Sequence, residues 1–106
     1  FVFDGLAIDT GDLELIFQNP HLEEVHELDL GDTEIDSLQP LFNSTKTKSL
    51  RVLDLQRNPG ADFELSELAQ HLPNLHILDL SGCYLSEDWA RQQLAGLENL
   101  EHLYLD

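Results

Sequence analysis

Cationic side chains are scarce in this chain. Five lysines and arginines stand against 21 aspartates and glutamates, for a formal charge of −16 over 106 residues. That shortage excludes a generic nucleic-acid binder, which needs a basic footprint, and disfavours adsorption to anionic membranes. Cysteine occurs once, at Cys83, so no internal disulfide can form. No apolar run is long enough to insert into a membrane. The motifs of common catalytic sites are also missing. There is no phosphate-cradling glycine loop, no His-Glu-x-x-His helix and no Gly-x-Ser-x-Gly elbow. No enzymatic role, no cofactor and no metal site is expected. The acidity that remains suits a soluble protein and would steer basic partners toward it.

What the chain does have is a period. Val25, Leu50, Leu75 and Leu100 stand 25 residues apart and open the same pattern: Val25-His-Glu-Leu-Asp-Leu, Leu50-Arg-Val-Leu-Asp-Leu, Leu75-His-Ile-Leu-Asp-Leu and Leu100-Glu-His-Leu-Tyr-Leu. A fixed period in this range signals stacked repeats. With the opening residue as position 1, positions 1, 4 and 6 are apolar, and the alternation over positions 4 to 6 fits a short strand with one buried face. Position 9 is Thr33, Asn58 and Cys83. A looser first repeat is read from Phe3, Leu6, Ile8, Gly11 and Leu13, with a 22-residue step to Val25.

Between the strands, residues 64–72 place Leu65, Leu68, Ala69 and Leu72 on one helical face. Ser86 is the expected N-cap of a second helix, with Glu87 and Asp88 in its first turn and Trp89, Ala90, Leu94 and Leu97 toward the core. Residues 36–49 are polar, β-branched and poor in helix formers, and read as an irregular loop. Asn58-Pro59-Gly60 reads as a turn.

The pattern Leu-x-x-Leu-x-Leu-x-x-(Asn/Cys/Thr), present in four spaced copies, resembles the leucine-rich repeat family. The resemblance implies an α/β solenoid: a curved right-handed stack with parallel strands on the concave face and helices and irregular loops on the convex side. Residues 1–106 are expected to form one array of about four to five repeats. The chain opens on Phe-Val-Phe-Asp, without Met, and closes in mid-repeat. The expectation is therefore a fragment of a longer solenoid, whose missing ends would hold any signal, caps or anchor. In the family the position-9 side chain turns inward to satisfy backbone groups of the bend. That implies a buried ladder role for Thr33, Asn58 and Cys83.

Outward-facing positions stack into columns on such a sheet. Position 2 reads Asp4, His26, Arg51, His76, Glu101; position 3 reads Gly5, Glu27, Val52, Ile77, His102; position 5 reads Ala7, Asp29, Asp54, Asp79, Tyr104; position 8 reads Thr10, Asp32, Arg57, Gly82. Strands about 4.8 Å apart bring the three aspartates close enough to repel, by roughly 1 kcal/mol in water and more where water is excluded. The column should raise its own pKa values or attract cations, with Arg51 and Arg57 relieving part of the repulsion. Apolar Val52, Ile77 and Tyr104 beside these charges look like the core of a protein interface. The candidate partner-binding residues are His26, Asp29, Arg51, Asp54, Arg57, His76, Ile77, Asp79, His102 and Tyr104. The expected partner is a protein ligand, and the acidic surface suits a basic one. His26 and His76, flanking Arg51, are candidates for a contact sensitive to pH.

Asn43-Ser44-Thr45 is an N-glycosylation sequon. With the 36–49 loop and the Phe42 region, which resembles Toll-type ectodomains, it points to an extracellular receptor or secreted recognition protein. Against it, Leu80-Ser-Gly-Cys83 leading into a helix resembles the repeats of intracellular regulators. The alternative reading is an intracellular acidic adaptor or inhibitor that binds a basic protein.

Overall fold

A computed structural model describes residue 2, residues 5–58 and residues 64–105. Phe3, Asp4, Pro59 and Gly60, named above, lie outside the described residues. Four three-residue strands, β1 (Glu27–Asp29), β2 (Val52–Asp54), β3 (Ile77–Asp79) and β4 (His102–Tyr104), form one parallel sheet in sequence order. Their register follows the 25-residue period: Leu28 pairs with Leu53, Leu53 with Leu78, and Leu78 with Leu103. The sheet across these strands is not curled.

Each strand buries its central leucine. Leu28, Leu53 and Leu78 are almost wholly enclosed, as are Leu30, Leu55 and Leu80 two residues on and Val25, Leu50 and Leu75 before them. The connecting segments cover this leucine face. They are α1 (Thr10–Phe17), α2 (Gln39–Phe42), a 3₁₀ turn at Leu65–Glu67 running into α3 (Leu68–His71), and α4 (Glu87–Gln93). They contribute Leu13, Leu41, Phe42, Leu65, Leu68, Ala90 and Leu94 to the core, joined by Leu38, Leu72 and Leu97 from their flanks. No unit could bury its own apolar face, so stacking supplies the core.

Local chemistry sets the helix limits. Asp9 caps α1 by accepting from the Asp12 N–H, and Asp12 accepts in return from the Asp9 N–H. Ser86 caps α4 as expected, accepting from the Trp89 N–H, and Glu87 pairs with Arg91 one turn on at 3.0 Å. Adjacent units are also tied by polar bonds at steps near the period. Thr10 donates to Asp36, Ser37 to Glu64, Asn74 to the Lys48 carbonyl and Asn99 to the Pro73 carbonyl.

Several expectations need correction. The first repeat does not step by 22. Val2, not Ala7, bridges to Asp29, and Asp9 bridges to Glu34. Ala7, Gly5 and Thr10 therefore leave the columns assigned to them. The chain turns through Gly5, at φ +75°, and enters α1 at Thr10, a helix the apolar spacing did not announce. Segment 36–49 is not wholly irregular. Pro40 starts the short helix α2, while Ser44 and Thr47 are buried. The Thr47 hydroxyl donates to the Leu41 and Ser44 carbonyls, so a polar side chain takes a place held by leucine in neighbouring units. Trp89 is 43% exposed rather than turned to the core. Ala90 and Leu94, on the other side of α4, fill that place.

Candidate functional site: the outward face of the sheet

Strand alternation sends one set of side chains outward, and the register stacks them in rows. Glu27, Val52, Ile77 and His102 form one row; Asp29, Asp54, Asp79 and Tyr104 form another. Before the strands, main-chain bonds from Arg51 to His26, from His76 to Arg51 and from Glu101 to His76 align a third row. After them, Asp32, Arg57 and Gly82 share a left-handed backbone, with φ of 50°, 56° and 75°. The Arg57 side chain lies across Gly82, where a Cβ would meet its Cγ at 3.2 Å. The ten partner-contact candidates thus share one face. Tyr104 is 49% exposed, while Val52 and Ile77 are half-buried between charged neighbours.

The aspartate row has a structural duty. Asp29, Asp54 and Asp79 each accept from the backbone N–H two residues on, at Gly31, Gln56 and Ser81, at 2.9, 2.9 and 3.0 Å. Each carboxylate thereby holds the bend that follows its strand. Asp54 uses its second oxygen to accept from the Gln56 side chain. The expected rise in pKa is seen at Asp54. Burial pushes its pKa up, the Gln56 bonds pull it back, and the flanking Asp29 and Asp79 charges raise it further. Repulsion along the column is therefore real but ranks behind desolvation. Arg51 does not relieve it, because it forms no ion pair within 4.0 Å among the described residues.

Beneath this face runs the inward ladder. Asn58 Nδ2 donates to the carbonyls of Leu30, Leu55 and Gln56, at 3.1, 2.9 and 3.1 Å. Its Oδ1 accepts from the Thr33 N–H, while the Thr33 hydroxyl donates to Leu30. Cys83 Sγ donates to the Leu55 carbonyl at 3.1 Å. Burial pushes the Cys83 thiol pKa up, the Asn58 backbone N–H partly offsets this, and the charges of Asp79 and Asp54 add to the rise. The thiol is a structural group.

Asn43 lies apart from the sheet face. It is exposed at the C-terminal end of α2, beside a cavity of about 170 Å³ that Thr10, Glu14 and Phe17 also line. Thr45 of the sequon is exposed as well. One exposed aromatic escaped the sequence reading. Tyr84 follows Cys83, is 86% exposed and holds a φ of 57°. Its only signal was its place after the ladder residue, where the chain turns toward α4.

Four in-register strands, a shared inward ladder and covering segments at a 25-residue step define a repeat protein. Residues 74–91, which carry β3, Cys83 and the start of α4, match the Leucine Rich Repeat family. This stretch is a leucine-rich repeat, and such a repeat suggests protein–protein interaction. No curated protein and no solved structure gives a significant match to the chain.

Proposed function

We propose that this chain is part of a leucine-rich repeat solenoid that recognises a protein through the outward face of its sheet, in an extracellular receptor or secreted recognition protein. The observation that carries the reading is the row Glu27–Val52–Ile77–His102 beside Asp29–Asp54–Asp79–Tyr104. It is a band of apolar and aromatic groups among charges, which the leucine core holds in register. Such a band supplies the desolvated centre and polar rim that protein interfaces use. The spare lone pairs of the aspartates favour a partner that is basic where it meets this row.

The extracellular half of the reading is supported by the exposure of Asn43 and Thr45, since a glycan there would project into solvent without disturbing the core. The test is mass spectrometry of the Asn43 peptide from the full-length protein made in secretory eukaryotic cells. A glycan is the expected result. Unmodified Asn43 in protein retained inside the cell would favour the intracellular adaptor reading, which the aspartate row also suits. Docking is tested separately with Ile77→Asp and Tyr104→Ala. Each should weaken binding of the natural ligand by about tenfold or more, as removal of an interface anchor does. Unchanged binding in both would mean that the face is only a spacer.

A further inference from the structure

The outward face changes character along each strand. His26, Ser49, Arg51, Asn74 and His76 line an open groove of about 530 Å³ at the start of the strands. The aspartate row lies three residues further on. At a rise of about 3.3 Å per residue that is about 10 Å, beyond the ~8 Å over which physiological salt lets exposed charges interact. In a chain with 21 carboxylates, the groove is centred on an exposed guanidinium that has no ion-pair partner among the described residues.

Both histidines turn Nδ1 toward a main-chain carbonyl, His76 toward one in its own unit and His26 toward one in the next. His76 Nδ1 lies 2.6 Å from the Asn74 carbonyl, and His26 Nδ1 lies 3.4 Å from the Ser49 carbonyl. A carbonyl only accepts, so the proton belongs on Nδ1 in each contact. Nε2 is then the nitrogen that gains a proton when the ring becomes cationic. Histidine ordinarily does so between about pH 5 and 8. With both rings neutral the row offers one guanidinium between them; with both protonated it offers three cationic donor groups side by side on adjacent units.

We propose that the His26–Arg51–His76 groove binds a carboxylate of a protein partner, an aspartate or glutamate side chain, and holds it more tightly as the pH falls. The planar fork of Arg51 matches a carboxylate in bidentate fashion, and each protonated histidine adds a charge-assisted donor. The nearby charges are Glu24, whose carboxylate accepts from Ser49; Glu27 on β1; Glu101, next in the row beyond His76; and Lys48, whose carbonyl accepts from Asn74. Glu101 ends the row and disfavours an anionic guest beyond His76, which leaves Arg51 as its centre. The partner thus needs a carboxylate about 10 Å from the basic group that meets the aspartates, a spacing set by the strand rise.

This inference rests on the reading of the sheet as a recognition face, but a small probe tests the groove without any partner. Glutarate is titrated into the full chain, with uncharged glutaramide and inorganic phosphate in parallel, and the histidine ring protons are followed by NMR. The expected result is saturable shifts at His26 and His76 but not at His21, His71 or His102. Affinity should be about threefold higher near pH 6 than near pH 8, the gain two exposed ion pairs provide. Arg51→Gln should abolish the shifts with the backbone spectrum unchanged, and His76→Gln should flatten the pH dependence. Equal shifts with glutaramide, shifts spread over all five histidines, pH-independent affinity, or binding of phosphate without glutarate would each overturn the proposal. Glutarate binding by a chain whose Ile77 and Tyr104 variants still bind the natural ligand would leave the groove standing and remove the docking reading.

Discussion

Asn58 reaches back 28 residues to the Leu30 carbonyl, at 3.1 Å, and Cys83 repeats the reach to Leu55 at the same distance. The bends after β1 and β2 thus complete their hydrogen bonding with a side chain from the next unit. These units are not merely piled by apolar contact; the later one closes the polar ledger of its predecessor. Among the described residues no buried side-chain nitrogen or oxygen lacks a partner.

Asn58→Ala should therefore be among the most damaging single changes. It strips donors from three main-chain carbonyls and an acceptor from the Thr33 N–H. The expected loss is about 3 kcal/mol, the cost of leaving buried polar groups unpaired. Urea denaturation followed by circular dichroism checks it. A loss below about 1 kcal/mol would mean that water enters the bend and replaces the amide.

Asp54 sets a pH dependence whose sign is the reverse of a salt-bridged acid. Its folded pKa lies above the ordinary 3.8, because burial and two neighbouring carboxylates disfavour the charge. The native state therefore holds this proton more tightly than the unfolded chain. The contribution to stability is most favourable below 3.8 and is lost as the pH rises through the folded value. Asp54→Asn keeps an oxygen for the Gln56 N–H and removes the charge. It should stabilise the protein at neutral pH by about 0.5 kcal/mol, allowing for solvent screening of a half-exposed group. The advantage should vanish in acid. Thermal melts of both proteins across the pH range decide it, and a benefit that grows as the pH falls would refute the assignment.

The period and the strands were legible because leucine at positions 1, 4 and 6 serves the core directly. The 25-residue step places Leu28, Leu53 and Leu78 on one another without help from any loop. The ladder role of Asn58 and Cys83 was legible only through the family resemblance, since spacing alone does not say which way a side chain turns. The first unit was misread because its apolar residues fit two registers. The asparagine-like anchor that would have chosen between them is missing, and a capping box at Asp9 and Asp12 diverts the chain into α1. Trp89 was misplaced because α4 turns Ala90 to the core, with Leu94 just beyond its end, and leaves the adjacent Trp89 at the solvent side. The opposite character of the two ends of the strands was hidden because position 2 and position 5 were counted as one surface. Only the groove and the carbonyl contacts of the two Nδ1 atoms separate them.

The contact between α4's exit and α3 is too close for a larger residue. A Cβ on Gly96 would lie 2.9 Å from the Ala69 Cβ. Gly96→Ala should cost about 1–2 kcal/mol through overpacking. Ala69→Gly alone costs about 1 kcal/mol in helix propensity. The double variant should be more stable than the sum of the two losses, because removing one methyl makes room for the other. Additive losses in denaturant titrations would show that the units shift apart instead.

Tyr84 carries backbone strain without a visible packing return. Its φ of 57° places a bulky side chain in the left-handed region, at a cost of about 1–2 kcal/mol. Its ring is 86% exposed, so little burial offsets the strain. Tyr84→Gly removes the clash and adds back about 0.5–1 kcal/mol of unfolded-state entropy. The net expectation is a stabilisation of up to about 1 kcal/mol, read as a higher melting temperature. Tyr84→Val, β-branched at the same φ, should melt lower than the parent. Strain at a solvent-facing aromatic is a reason to test that side chain for function. The two variants therefore go into the ligand-binding assay as well. Tyr84→Gly that is more stable and binds more weakly would place the ring in the interface. Tyr84→Gly that is more stable with binding unchanged would leave it as strain without a function in recognition.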